Sequence, residues 1–208
     1  IADREEPIDM TNYDQYPNFR EFDWGEQNKE KYAFLQEHGM SYADYEALDE
    51  DSKKAYTWAF NNPERYEFVK GFGLSPTEYY SLDKDSKDAY SWAYENPEAY
   101  TVSRAVSDDL MEYYSYKRKI NEISKRNDSD SGIKDKDLIR KYIFHLDLDY
   151  GQKIILYRSM YNSKADKEEY NADIIKYLNA RDDISAEEMT TILRKLGFTV
   201  DRNGRISW

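Results

Sequence analysis

Apolar side chains recur along most of this chain at helical spacing. Ala55, Tyr56, Ala59 and Phe60 make one stripe, and Ala89, Tyr90, Ala93 and Tyr94 repeat it 34 residues later. Further on, Leu138, Ile139, Tyr142, Ile143 and Leu146 share a helical face, as do Tyr170, Ile174, Tyr177 and Leu178. The period changes to two only at the end. Phe198, Val200, Ile206 and Trp208 flank a turn over Asp201 to Arg205. With Gly204 in the left-handed bulge position, Val200 faces Ile206 and Phe198 faces Trp208. The pattern predicts an all-α fold that ends in a small β-hairpin over 198–208.

A longer period lies over this one. Trp24, Trp58 and Trp92 are 34 residues apart, and so are Asn28, Asn62 and Asn96, Glu30, Glu64 and Glu98, and Tyr32, Tyr66 and Tyr100. The shared phrase is W-x3-N-[K/P]-E-x-Y. Ser41 to Tyr45 matches Ser75 to Tyr79, and Leu48 to Lys53 matches Leu82 to Lys87. The unit of structure is therefore the repeat. The Trp, Asn and Tyr of the phrase, with Pro63 and Pro97, read as its structural anchors. Tetratricopeptide repeats share the period, but Asn61-Asn62-Pro63 stands after Trp58 where their signature needs Leu-Gly.

Punctuation sets the helix ends. Ser75-x-x-Glu78 is a capping box with Pro76 in the first turn, and Ser41-x-x-Asp44 is its twin. Asp49 and Asp83 are N-caps, and Asn62-Pro63 and Asn96-Pro97 separate one helix from the next. Gly71 and Gly73 close the middle copy. In the last copy they become Ala105 and Ser107, and Pro76 becomes Leu110. Loss of the breakers predicts one long connecting helix over 97–126. Residues 1–21 read as an irregular arm, 22–96 as the acidic Tyr- and Trp-rich repeats, and 134–208 as a C-terminal helical lobe. Asp149-x-x-Gln152, Asp166-x-x-Glu169 and Ser185-x-x-Glu188 are predicted to cap its helices, with Ile184 and Met189 as a hydrophobic staple and Gly197 as a stop.

Composition sharpens this reading. The net charge is −12 over 208 residues, and Leu, Ile, Val and Phe are scarce, which is near the disordered range. The 21 Tyr and 4 Trp restore burial capacity, and only four Val argue against a sheet-rich fold. Residues 1–100 hold 23 acidic and 10 basic side chains, and the rest are close to neutral. A charge so negative in the repeats disfavours direct nucleic-acid binding. No apolar run is long enough to span a membrane.

Candidate chemistry is thin. His38 and His145 stand alone and Cys is absent, so no zinc site or usual nucleophile is signalled. Neither Gly-rich phosphate motif is present. Asp128-x-Asp130-x-Gly132 resembles the start of a calcium loop, but an EF-hand needs Gly sixth and Glu twelfth. Here Gly132 is fifth and Ile139 twelfth, so 127–132 reads as a solvated loop. No catalytic, cofactor or metal residue is assigned, and the partner class is protein.

Two phrases carry a resemblance. Leu146 to Tyr157, with Ile174 to Asn179 and Ile184 to Phe198, resembles a helical segment of very large multidomain phage and prophage proteins. The phrase W-A-[F/Y]-x-N-P-E-x-Y resembles the stretch that precedes that segment. These are the large polyvalent or tape-measure-like virion proteins of phages that infect Gram-positive bacteria. The resemblance covers roughly 40–208 and implies a non-catalytic structural or interaction segment, in the virion or in the host cytoplasm after injection. The alternative is a small acidic effector that binds and inhibits a host protein. Continuation of the reading frame beyond Ile1 and Trp208 favours the segment.

Overall fold

A computed structural model describes residues 17–126, 135–160 and 168–208. They form thirteen α-helices and one two-stranded antiparallel sheet. The chain divides into two compact units, Ile1–Leu82 and Asp83–Trp208. The first contains α1 (Pro17–Gln27), α2 (Lys29–Glu37), α3 (Tyr42–Ala47), α4 (Glu50–Asn61), α5 (Pro63–Lys70) and α6 (Pro76–Ser81). The second contains α7 (Lys84–Glu95), α8 (Pro97–Arg104), α9 (Leu110–Arg126), α10 (Asp135–Phe144), α11 (Tyr150–Met160), α12 (Asn171–Asn179), α13 (Ala186–Lys195), β1 (Thr199–Val200) and β2 (Ile206–Ser207).

The repeat is a trio of helices. α4, α5 and α6 begin 34 residues before α7, α8 and α9, and α1, α2 and α3 occupy the same phases one period earlier. Capping repeats with it. Ser41 and Ser75 each accept a hydrogen bond from the backbone N–H three residues on, while Asp44 and Glu78 accept one from the Ser backbone N–H. Asp49 and Asp83 accept from Ser52 and Ser86 N–H at 2.7 and 2.9 Å. Each cap satisfies donors that a helix N-terminus otherwise leaves bare.

The expected continuous helix over 97–126 is broken. α8 stops at Arg104 and α9 starts at Leu110. Asp109 stands 34 residues after Ser75 and does the same work, since its Oδ1 accepts the N–H groups of Met111 (2.8 Å) and Glu112 (3.3 Å). Ser107 Oγ accepts the Asp109 N–H at 3.1 Å and donates to Glu112 Oε2 at 2.5 Å. Between the helices, Ala105 and Val106 turn into the core and are fully buried. The breakers were lost but the cap was not, and two apolar residues gain burial from the turn.

Other boundaries move as well. α1 begins at Pro17, so 17–21 is helix rather than irregular arm, and 1–16 lies outside the described residues. The boundary between the two units falls at Leu82/Asp83, inside the repeats. The cause is burial: Val102, Ala105, Val106, Tyr113 and Ile120 of the third copy share one core with Ile139, Ile143, Ile154, Ile174, Leu178, Ile192 and Phe198. α12 begins at Asn171, preceded by Tyr170 in the left-handed region at φ 68°. That conformation costs a non-glycine residue about 1 kcal/mol. The expected cap Asp166 and the acidic loop 127–132 fall outside the described residues.

The C-terminal end follows the sequence pattern. Ser185 and Glu188 form the capping box of α13. After α13, Gly197 takes φ 94° and Phe198 N–H reaches Leu193 O at 2.9 Å, a Schellman closure. Val200 pairs with Ile206 and Thr199 with Ser207. Phe198 and Trp208 meet edge to face at 6.1 Å. Asp201 Oδ1 accepts from Asn203 and Arg205 N–H, which holds the turn, and Gly204 sits at φ 77°.

Candidate functional site

The residues of the repeat phrase are wired alike in every copy. The Asn Nδ2 donates to the Trp carbonyl four residues back, at 3.0 Å for Asn28–Trp24, 2.8 Å for Asn62–Trp58 and 2.9 Å for Asn96–Trp92. The three Asn backbones nearly coincide, with φ from −129° to −132° and ψ from 43° to 61°. None of them caps the helix that follows, contrary to expectation. Their amides instead close the preceding helix. That leaves the bend to the Asn backbone, with Pro63 and Pro97 exposed in the next first turn. Tyr32, Tyr66 and Tyr100 each donate a backbone N–H to the same Asn carbonyl, at 2.8 to 2.9 Å.

The three indoles are half-buried. The buried partner is a tyrosine 21 residues later: Trp24 lies 5.8 Å from Tyr45, Trp58 4.5 Å from Tyr79 and Trp92 5.6 Å from Tyr113. Each half-buried indole thus lies over a tyrosine that is itself buried. Tyr45 and Tyr79 were visible as repeated positions, but pattern alone gave no reason to rank them above Trp. Two of the pairs are stacked, at interplanar angles of 27° and 25°, and the Trp24–Tyr45 pair is tilted at 37°.

Cations decorate the Tyr45 stack. Lys31 Nζ donates to Tyr45 Oη at 2.7 Å and to Thr57 Oγ1 at 3.0 Å. It also lies 4.8 Å from the Tyr45 ring centroid. Beside this stack, Tyr45, Lys53, Trp58, Asn61 and Tyr80 line an open groove of about 550 Å³. A second groove of about 570 Å³ is acidic, with Asp49, Asp51 and Glu78 on its wall. The Ser75 hydroxyl, and then its N–H, hold the Glu78 carboxyl below its usual range, and Ser52 N–H does so for Asp49. Both stay charged through ordinary pH.

The histidines serve their helices. His38 Nδ1 donates to Phe34 O at 2.7 Å while its ring packs 4.2 Å from Phe34 and 5.3 Å from Tyr66. His145 Nδ1 likewise faces Lys141 O at 2.6 Å. Among the described residues no group of three or more His, Asp or Glu is placed to hold a metal ion. No described helix is long and apolar enough to cross a membrane.

One cluster was missed by sequence reasoning. Around the left-handed Tyr170 gather Phe144 at 6.3 Å, Tyr157 at 6.2 Å and Tyr150 at 6.5 Å. Arg140 donates to the Tyr170 hydroxyl and pairs with Glu169 at 3.1 Å. Burial, followed by a hydrogen bond with Glu169, pushes the Tyr170 phenol up to about 12. No signal in the sequence joins residues so far apart.

No protein-family model matches the chain, and no curated protein or solved structure does so either.

Proposed function

We propose that this chain is a non-catalytic structural and interaction segment of a phage-derived multidomain protein, carried in the virion or injected into the host. One observation supports this above the others: the same Trp–Asn–Tyr wiring recurs at each period. Conserving one packing rule through successive copies maintains a spacing and a surface, which is what an assembly segment needs. The phrases from Trp58 to Tyr66 and from Leu146 to Phe198 resemble the large virion proteins in the same sense. A second reading draws on the acidic groove of Asp49, Asp51 and Glu78. It would suit a basic surface of a host protein, and the chain would then be an inhibitory effector.

Peptide mass spectrometry on purified phage particles or induced prophage separates the two. Tryptic peptides of this chain inside intact particles, joined to peptides from before Ile1, are the expected result. Abundance in infected cells with absence from particles would overturn the virion reading in favour of the effector.

A further inference from the structure

Of the three repeat indoles, Trp24 and Trp92 each meet more than one ring, and Trp58 does not. Trp24 has Tyr42 at 5.2 Å and Tyr32 at 6.3 Å beside Tyr45. Trp92 has Tyr114 at 6.0 Å and the Lys117 ammonium at 5.5 Å beside Tyr113. Trp58 has Tyr79 alone among the described residues. The repeat differs at these phases, since Pro76 stands for Tyr42 and Asp83 for Lys117 in the second copy.

This indole lies in the open groove of about 550 Å³ beside α4. Lys53, Lys54, Thr57, Trp58 and Asn61 follow one another along its wall at helical spacing. From Lys53 to Asn61 that wall runs about 12 Å, longer than one sugar ring. Its cations are already matched. Lys54 pairs with Asp51 at 2.9 Å, and Lys53 lies 4.0 Å from Glu46. Asn61 is exposed, and no hydrogen bond among the described residues engages its amide. Asn62 Nδ2 already donates to Trp58 O, which leaves Asn62 Oδ1 as an acceptor.

These features define a ligand. It is neutral, because the wall holds no unmatched cation. It has one flat apolar face, for the indole. It carries groups that both donate and accept, for a carboxamide. A pyranose has all three properties. We propose that the groove along α4 binds a neutral oligosaccharide, with the C–H face of one sugar ring stacked on Trp58 and its hydroxyls bonded to Asn61 and Asn62. A nucleic acid suits this wall less, because the unit around it holds 18 acidic and 8 basic side chains. A proline-rich peptide needs a groove lined by aromatic rings, and Trp58 makes no ring contact with Tyr80 on the same groove. The saccharide adds a ligand to the protein partner inferred above and does not rest on it.

The test titrates the full isotope-labelled chain with maltotriose, cellotriose and chitotriose while NMR follows the indole N–H signals. Each sugar is taken to about 20 mM, because a single stack in an open groove binds weakly. At least one should shift the Trp58 signal saturably and leave those of Trp24 and Trp92 in place. Saturation transfer should be strongest at the C–H protons of one sugar ring. Trp58→Ala would also disturb the fold, so Asn61→Ala carries the mutational arm. It should weaken binding about threefold or more at unchanged melting temperature, because Asn61 is exposed. A Trp58 signal that none of the sugars moves overturns the proposal, as do equal shifts at every indole or unchanged binding by the Asn61→Ala chain. Decaproline is titrated alongside, and a Trp58 shift with it but not with the sugars overturns the proposal in favour of a peptide site. Only the isolated chain is needed, so the saccharide site and the virion reading can fail separately.

Discussion

The two units solve one problem with different side chains. In the first, the buried apolar residues among those described include Leu35, Tyr45, Ala55, Ala59, Tyr66, Val69 and Tyr79, with Trp24 and Trp58 half-buried over the tyrosines. In the second, a single cluster runs from Val102 through the Ile154–Tyr157 stretch to Phe198 and is dominated by Ile and Leu. The first unit carries 18 acidic and 8 basic side chains, and the second 24 and 22. Helices of six to twelve residues offer only one or two turns of core face each. A ring covers more area per position than an aliphatic chain, so short acidic helices can be held by stacks. In the second unit only α9, at 17 residues, is longer than that, and the aliphatic residues of α10 to α13 pack because they converge on one cluster.

The sharpest way to break the second unit leaves the first intact. Gly151 of α11 lies under the Tyr177 ring, and a Cβ placed there would come within 2.1 Å of Tyr177 Cδ2. Both residues belong to packed helices, so the ring has little room to yield. Gly151→Ala should destabilise this unit by about 3 kcal/mol or more through overpacking. Hydrogen-exchange mass spectrometry should show lost protection across α10 to α13 and unchanged protection in α2 to α5. Adding Tyr177→Ser should recover part of the loss, and failure of that rescue would place the strain elsewhere.

Next comes the order of the stack. Tyr79 is 7% exposed and Trp58 half-buried above it. Tyr79→Ala should therefore cost about 3 kcal/mol and Trp58→Ala about 2, since the cavity left by the inner ring is the more enclosed. Urea melts of the two variants decide it. A larger loss for Trp58→Ala would restore the indole as the anchor that its spacing suggested.

Smaller effects come from the caps, which both units share. Ser75→Ala, and Asp109→Ala in the turn between α8 and α9, should each cost about 1 kcal/mol. The pH dependence has a defined sign. Ser41 and Ser75 lower the carboxyls of Asp44 and Glu78, Ser185 lowers that of Glu188, and Arg181 holds Asp183 down at about 2. A depressed carboxyl stabilises the fold above its unfolded pKa and loses that contribution as pH falls through the folded value. Melting temperature should thus fall from about pH 5 downward, and Ser75→Ala should flatten that fall in the first unit.

The same caps show what the sequence made legible. Hairpin register was readable because a period of two with Gly204 in the turn leaves one pairing that keeps Phe198, Val200, Ile206 and Trp208 on one face. The helix trio was readable because Ser-x-x-[Asp/Glu] and Asn-Pro recur at fixed phase. The break at 105–109 was also written there, in Asp109-x-x-Glu112 at the phase of Ser75-x-x-Glu78. The replacement of Gly71, Gly73 and Pro76 is the stronger local signal, and it points the other way from the retained cap. Tyr170 is different. Its left-handed backbone and its ring of Phe144, Tyr150 and Tyr157 follow from tertiary packing that no local pattern encodes.

Salt gives the smallest effect and the finest comparison, because the two units should respond with opposite sign. In the first unit, 18 carboxylates against 8 cations repel one another, and ions that shorten the Debye length to about 4 Å relieve that repulsion. In the second, charge is nearly balanced and arranged in pairs such as Arg104–Glu188 at 2.6 Å, Lys195–Glu98 at 2.8 Å and Arg140–Glu169 at 3.1 Å. Screening weakens those pairs, each worth only a few tenths of a kcal/mol at the surface (about 0.5). Raising sodium chloride from about 0.05 to 0.5 M should therefore slow exchange in α4 and α5 and slightly speed it in α10 and α13. Parallel shifts in both units would mean that salt acts through apolar burial, and that the acidic excess of the repeats costs the fold nothing.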